Sequence, residues 1–201
     1  FNGSSATFVA WCWKESATAG FDIVTYEGVG VGTEQNVSHS LSAVPELYIV
    51  KSRESVGGWQ TYHHKMSAAP ETDYLSVHNN AAIGDYPFWG DTAPTSSVFT
   101  VDEGDDVNAV EDYVCYLWRS VQGFSKFGTY TGNGNADGTF VYTGFRPAYL
   151  LVRNTAGDWD WNIWDNKRFG FNGKQPTLFA DLTNSEDSEY TRMDFLSNGF
   201  K

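Results

Sequence analysis

The stretch Pro45-Glu-Leu-Tyr-Ile-Val-Lys51 indicates the fold class of the whole chain. β-branched and aromatic residues favour strands. Because apolar residues follow one another here without alternation, we expect a strand that is covered on both faces. Similar short runs recur along the chain between clusters of Gly, Asn, Asp and Ser, whereas helical periodicity is nearly absent. The sequence therefore predicts an all-β protein.

The predicted strands are short and evenly distributed. They cover residues 8–13, 21–26, 36–41, 46–51, 59–64, 74–78, 97–101, 113–118, 126–130, 140–142, 149–153, 159–164, 178–181 and 193–196. The tract Thr131-Gly-Asn-Gly-Asn-Ala-Asp-Gly-Thr139 tolerates positive φ and offers little to a core, so it predicts a surface hairpin loop.

An internal duplication gives the strongest indication of domain organisation. Phe8-Val-Ala-Trp-Cys-Trp-Lys14 aligns with Tyr113-Val-Cys-Tyr-Leu-Trp-Arg119, and Pro45–Lys51 aligns with Pro147-Ala-Tyr-Leu-Leu-Val-Arg153. Trp59-Gln-Thr-Tyr-His-His-Lys65 matches Trp161-Asn-Ile-Trp-Asp-Asn-Lys167 in the same order. The sequence thus predicts an antiparallel β-sandwich or jelly-roll-like fold made of two halves, residues 1–107 and 108–201, with about seven strands in each.

Both ends of the sequence fall inside the repeat pattern, so we expect a segment of a longer polypeptide. The pattern leaves open whether the halves form one fused sandwich or two separate ones.

The net charge of −12, from 13 Lys plus Arg and 25 Asp plus Glu, argues against nucleic acid and anionic membrane surfaces as partners. We expect no membrane insertion, because no stretch reaches the roughly 18 apolar residues that a spanning helix needs. Cys12 and Cys115 could form one bridge at most, and each fits a buried apolar thiol better than a reactive one.

Catalytic patterns are weak, so we expect no enzyme. None of the four histidines, at positions 39, 63, 64 and 78, lies beside a GxSxG-type turn. The acidic clusters lie among turn residues rather than on strands lined with aromatics, as the paired carboxylates of a glycosidase would require.

The acidic stretch Asp102-Glu-Gly-Asp-Asp-Val-Asn108 places several oxygen ligands close together. Calcium favours such ligands, so Asp102, Asp105, Asp106 and Asn108 form a candidate calcium site. The alternative is an acidic turn between the two halves, with no cofactor.

The tryptophans suggest a second candidate site. Asp158-Trp-Asp-Trp-Asn-Ile-Trp-Asp-Asn-Lys167 mixes indole rings with acids and amides, as in sugar-binding β-sandwiches. The candidate glycan-binding residues are Trp159, Asp160, Trp164 and Asp165, with Tyr62 and His63 as their first-half analogue. The alternative is a core role, which we favour for Trp59, Trp161, Trp11, Trp13 and Trp118.

Several long stretches resemble a β-rich domain of tail and tail-fibre-like structural proteins of tailed phages, especially marine and cyanobacterial ones. The resemblance covers the whole chain and is carried by residues 8–14, 44–51, 89–99, 123–134, 136–147 and 193–201. In the family the domain often follows a laminin-G-like jelly roll. The stretch Asp102–Asp106 departs from the Gly/Ser/Asn-rich turn of the relatives, which weakens the case for a shared acidic site.

The resemblance implies a non-enzymatic virion component, a module of a tail fibre or appendage that helps the particle attach to host-surface glycans. The implied partners are other virion subunits, as a homo-oligomer and by resemblance a trimer. Two alternatives remain: a purely structural spacer or capsid-decoration module, and a polysaccharide-degrading glycosidase.

Overall fold

Alternating burial along Asp112–Trp118 explains why this segment forms a strand with two different faces. Tyr113, Cys115 and Leu117 are fully buried, whereas the residues between them are partly exposed. Side chains of a strand alternate between its two faces, so this pattern directs one face to the core. The structure, a computed structural model, describes residues 3–5, 7–168, 176–187 and 193–201.

In these residues the chain forms fourteen strands and one short helix, which confirms the predicted all-β class. The elements are β1 (Phe21–Glu27), β2 (Gln35–Ser38), β3 (Leu47–Ser52), β4 (Trp59–His63), β5 (Asp73–Ser76), β6 (Gly84–Asp85), β7 (Val98–Val101), α1 (Asp105–Asn108), β8 (Asp112–Trp118), β9 (Val141–Tyr142), β10 (Tyr149–Val152), β11 (Asn162–Asp165), β12 (Leu178–Phe179), β13 (Phe195–Leu196) and β14 (Gly199–Phe200).

The strands form four antiparallel sheets. The largest has the order β1-β8-β3-β4-β5-β6, and the second part of the chain contributes β10-β11-β12 and β13-β14-β9. A two-stranded ribbon pairs β2 with β7. The antiparallel pairing agrees with the predicted sandwich character.

Strand β8 lies between β1 and β3, with Cys115 opposite both Val24 and Val50. The largest sheet therefore contains strands from both sides of the expected boundary at residue 107, so it is not confined to the first half. Burial raises the pKa of the Cys115 thiol well above its ordinary value, so the predicted buried thiol is confirmed there. The same prediction is wrong for Cys12, which is exposed.

Aromatic rings fill the main core beneath this sheet. Tyr48 on β3 stacks on Tyr62 on β4 with ring centroids 4.6 Å apart, and Trp89 meets Tyr48 edge-on at 4.8 Å. The indole N–H of Trp89 donates to the carbonyl of Asp73 at 2.9 Å, so this buried polar group is paired. Each such ring contributes on the order of 2 kcal/mol by burial, and together they fix the packing of the loop that carries Trp89.

A smaller core cluster consists of Trp164, Met193, Phe195 and Phe200. Trp161 instead joins the main core, where its indole N–H donates to the carbonyl of Ser76 at 2.8 Å. This bond ties the segment before β11 to the end of β5. The core role predicted for Trp161 is confirmed, whereas Trp59 and Trp13, also predicted in the core, are 37% and 47% exposed.

The structure corrects the predicted strands in several places. Residues 8–13 and 126–130 lie outside the strands, and the strands near residues 159, 178 and 193 are shorter than expected. Strands β6 and β14 and helix α1 were not predicted, because two-residue strands and a four-residue helix are too short to show a periodic pattern.

Candidate functional site

An exposed indole ring marks the most accessible part of the predicted glycan site. Trp159 lies in the loop before β11 and is 61% exposed. On its two sides, Asp158 Oδ1 accepts a hydrogen bond from the backbone N–H of Ala82 at 3.0 Å, and Asp160 Oδ1 accepts one from Asn80 Nδ2 at 3.3 Å. We call Trp159, Asp158, Asp160 and Asn80 the Trp159 patch.

Arg153, which follows β10, holds the two loops of the Trp159 patch together. Its guanidinium donates to the carbonyls of Ser76 and Asn79, at 3.3 and 3.1 Å, and to that of Ala81. It also lies over the Trp161 ring, with its Cζ 5.3 Å from the ring centroid. Burial lowers the pKa of Arg153, and nearby aspartates including Asp158 and Asp160 oppose that shift. The cation therefore stays charged and fixes the 76–81 loop beside the aspartates.

The Trp159 patch combines an aromatic face with hydrogen-bonding groups. The indole face can stack on an apolar ring face, while the Asp158 and Asp160 carboxylates can accept hydrogen bonds from hydroxyl groups. For each aspartate, the second carboxylate oxygen has no hydrogen-bond partner among the residues that the structure describes.

Trp164 and Asp165, the other two residues predicted here, are buried and do not join the patch. The Trp164 indole N–H donates to Thr177 Oγ1 at 3.0 Å, and its ring belongs to the smaller core cluster. Asp165 accepts hydrogen bonds from the backbone N–H groups of Lys167 and Arg168 and from Arg168 Nε. Both side chains are therefore structural in this conformation, and the prediction that they face a ligand needs this correction.

Tyr62 and His63, predicted as the first-half analogue, also make contacts within the fold. Tyr62 is buried and stacks on Tyr48. The Nδ1 atom of His63 accepts a hydrogen bond from the backbone N–H of Lys65 at 3.1 Å. Burial, with a contribution from neighbouring His64, lowers the pKa of His63 to about 4. His63 is therefore neutral at pH 7, and the ring of Tyr62 is not available for stacking on a sugar.

The predicted calcium ligands do not converge on one point. Asn108 is fully buried, with Nδ2 directed to the carbonyls of Gly30, Thr33 and Asp102 and Oδ1 accepting from the backbone N–H of Val29. The amide oxygen of Asn108 is thus already used, and its donors would repel a cation.

The carboxylate of Asp106 is likewise occupied by hydrogen bonds, whereas the side chain of Asp105 is exposed. The Asp106 carboxylate accepts hydrogen bonds from the backbone N–H of Gly58 at 2.7 Å and from Gln60 Nε2 at 2.6 Å. Asp105 is exposed and offers its backbone carbonyl to the Tyr113 hydroxyl. In the described ranges, no group of three or more His, Cys, Asp or Glu side chains is placed to hold a metal ion. The acidic stretch therefore acts as a clamp between loops.

Sequence reasoning missed Asn80 and the clamping role of Arg153. Asn80 and Asp160 are eighty positions apart, and nothing local to either residue shows that they meet. The polar composition of Asn79-Asn80 is typical of an exposed turn and was the only available sign.

A second open feature lies between residues 9–13 and the start of β10. This groove of about 290 Å³ is lined by Val9 to Trp13, Ala148, Tyr149 and Asp165 to Lys167. Its lining is mainly apolar and it is open to solvent, whereas a small-molecule site encloses most of its ligand.

Comparisons with known proteins place the chain in a family. A family model described as "Domain of unknown function (DUF7483)" matches residues 1–201. Neither the curated proteins nor the solved structures contain a match to the chain. Within the described residues, no helix has the length and hydrophobicity needed to cross a bilayer.

Proposed function

We propose that this chain, which belongs to the DUF7483 family, is a non-enzymatic structural component of a phage virion. It would act as a tail-fibre or appendage module in host-surface attachment, located in the extracellular particle and in contact with other virion subunits. The observation that carries the attachment role is the Trp159 patch, in which an exposed indole ring is flanked by carboxylates and an amide held in place by Arg153.

Support for binding comes from the chemistry of this surface. An exposed tryptophan offers a large, rigid apolar face at low entropic cost, and adjacent carboxylates and amides hydrogen-bond to ring hydroxyls. With a net charge of −12, the surface favours neutral or cationic glycans over acidic ones. The ligand class we propose is therefore a neutral host-surface saccharide.

Support for the absence of catalysis comes from the side chains that a hydrolase would need. Asp165 is buried and its carboxylate is occupied by hydrogen bonds in a turn. The two aspartates of the Trp159 patch flank one indole on the same loop, and they resemble a recognition surface more than the two sides of a catalytic cleft.

Binding to a glycan array and to whole host cells tests the attachment role. We expect Trp159→Ala to reduce binding at least about tenfold, because stacking on one ring is worth about 1–2 kcal/mol and the flanking hydrogen bonds depend on it. The matched control is Phe124→Ala, since Phe124 is 63% exposed and lies outside the patch. Equal binding by both variants, or none by the parent chain, would contradict the proposal and favour a purely structural spacer.

A further inference from the structure

The central position of β8 shows how the main sheet is completed. β8 enters between β1 and β3, and its register with β3 places Leu117 opposite Tyr48 and Trp118 opposite Leu47. The strand follows α1 after only a few residues. A segment of the β8 type therefore supplies the strand that covers the free edge of β3.

The β10-β11-β12 sheet repeats the order β3-β4-β5, but in the part of the chain that the structure describes no strand covers β10 as β8 covers β3. In the aligned repeats, Tyr149 to Arg153 correspond to Leu47 to Lys51. β3 has β8 on one side and β4 on the other, whereas among the described strands β10 pairs only with β11 and is an edge strand. Unpaired edges are ready acceptors for an additional strand.

The segment that resembles β8, residues 8–14, lies beside this edge. The rings of Trp11 and Trp13 each approach the Tyr149 ring with centroids 5.6 Å apart. Within the described chain, no backbone–backbone hydrogen bond involves residues 9–14. Val9 is 40% and Trp13 47% exposed. Residues 9–14 thus have the sequence of an inner strand but, within the described chain, no backbone pairing of a strand.

We propose that residues 8–14, the donor segment, pair with β10 of a second copy of this chain, as β8 pairs with β3. The register that β8 adopts on β3 would place Cys12 opposite Leu150, Trp11 opposite Leu151 and Trp13 opposite Tyr149. Because donor and acceptor are different surfaces of one chain, the contact is head-to-tail, and repeated contacts of this kind build a closed ring or a linear array. This inference is independent of the glycan-binding proposal.

The geometry favours β10 of a second copy over β10 of the same chain as the partner of the donor segment. Immediately after the donor segment, Ser16 and Phe21 exchange two backbone hydrogen bonds, and Arg119 Nη2 donates to the carbonyl of Ala17. These bonds fix the end of the segment to the main sheet. In this tethered position the rings reach Tyr149 but the backbone does not pair, which leaves large apolar side chains exposed, as at an unfilled interface.

Disulfide trapping between two different variants tests the proposal. One chain carries Cys12→Ser with Leu150→Cys, so its only introduced thiol is on the acceptor strand β10. The other is the parent chain, which supplies its natural Cys12 from the donor segment. Cys115 is fully buried, so we expect no disulfide from it. We expect a disulfide-linked heterodimer whose digest contains a peptide joining Cys12 to the cysteine introduced at position 150. Its yield should be roughly ten times that of the control Cys12→Ser with Leu151→Cys, whose side chain lies on the opposite face.

Other outcomes overturn the proposal. A Leu150→Cys chain that keeps Cys12 and forms only an internal disulfide would show that the donor segment pairs within its own chain. No trapping, or equal trapping by the two acceptor variants, would show that β10 does not receive this strand.

Light scattering of the parent chain provides a second readout that needs no new cysteine. The mean mass should rise with concentration. Ala10→Pro should abolish the rise, because proline has no backbone N–H to donate to the neighbouring strand. Ala10 is exposed, so near-ultraviolet circular dichroism should show an unchanged fold. A constant mass for the parent chain would also contradict the proposal.

Discussion

Replacing Asn108 tests the conclusion that the acidic stretch is a hydrogen-bonded clamp. The Asn108 amide directs Nδ2 to three carbonyls, at 3.2 Å to Gly30, 2.8 Å to Thr33 and 3.0 Å to Asp102, and accepts from the N–H of Val29 at 3.1 Å. Two N–H donors cannot fully satisfy three carbonyls, so the amide makes about three full hydrogen bonds. At about 1 kcal/mol each, with a further penalty for buried groups left unpaired, Asn108→Ala should cost about 3–5 kcal/mol of unfolding free energy.

Urea unfolding followed by tryptophan fluorescence measures this loss. For a slope of about 2 kcal/mol/M, the midpoint should fall by about 1.5–2.5 M. Asp105→Asn is the matched control, because Asp105 is exposed, and its effect should stay within about 0.5 kcal/mol.

The variant Asn108→Asp distinguishes a hydrogen-bonded clamp from a calcium site. The clamp predicts a loss at least as large as that of Asn108→Ala, because a buried carboxylate would face three carbonyl oxygens. Calcium should not restore the lost stability. A loss below about 1 kcal/mol for Asn108→Ala, or rescue of Asn108→Asp by calcium, would refute the reasoning.

Three further substitutions test whether the buried members of the predicted glycan site are structural. Asp165→Asn should cost about 1.5–3 kcal/mol in thermal or urea unfolding. Burial would raise the pKa of Asp165, but hydrogen bonds from Arg168 and from backbone N–H groups outweigh burial and lower it. The stabilisation is therefore present above the ordinary pKa of an aspartate and is lost as the pH falls through the lowered value; a wild-type acid unfolding curve that matches Asp165→Asn would contradict this. For His63, burial and the neighbouring His64 lower the pKa to about 4. The unfolded chain thus binds the proton first, and stability should fall by up to about 3 kcal/mol between about pH 6.5 and 4, less steeply in His63→Gln; equal slopes would count against it. Trp164→Phe should cost about 1–2 kcal/mol in the same unfolding assay and leave glycan binding unchanged, and weaker binding would return Trp164 to the site.

Most strand positions in the first half, apart from residues 8–13, were predictable because their patterns are local. The run at Glu46–Lys51 has consecutive apolar side chains, and the structure gives β3 with both faces covered, Leu47 and Ile49 on one side and Tyr48 and Val50 on the other. The apolar run Tyr113–Trp118 likewise predicted β8. The sheet that β8 joins could not be predicted, because strand pairing joins distant segments and leaves no local pattern in either.

The candidate site was predictable only in part. Trp159 and Trp161 are two positions apart, which in a strand puts both on one face, but the chain departs from strand geometry before Asn162, so one indole is exposed and the other is buried. Trp164 is buried although an odd spacing of three positions separates it from Trp161, because Trp164 packs in the smaller core cluster and Trp161 in the main one. Sequence alternation separates two faces but does not show that both are covered.

The central claim is that the chain presents a recognition surface and not a catalytic centre. The most direct measurement is a titration of the parent chain with host-surface polysaccharide, followed by tryptophan fluorescence and, in the same samples, by release of reducing sugar ends. We predict saturable binding that Trp159→Ala weakens at least about tenfold, with no release of reducing ends. Release of reducing ends that is lost in Asp160→Asn or Asp165→Asn would contradict the claim and identify a glycosidase.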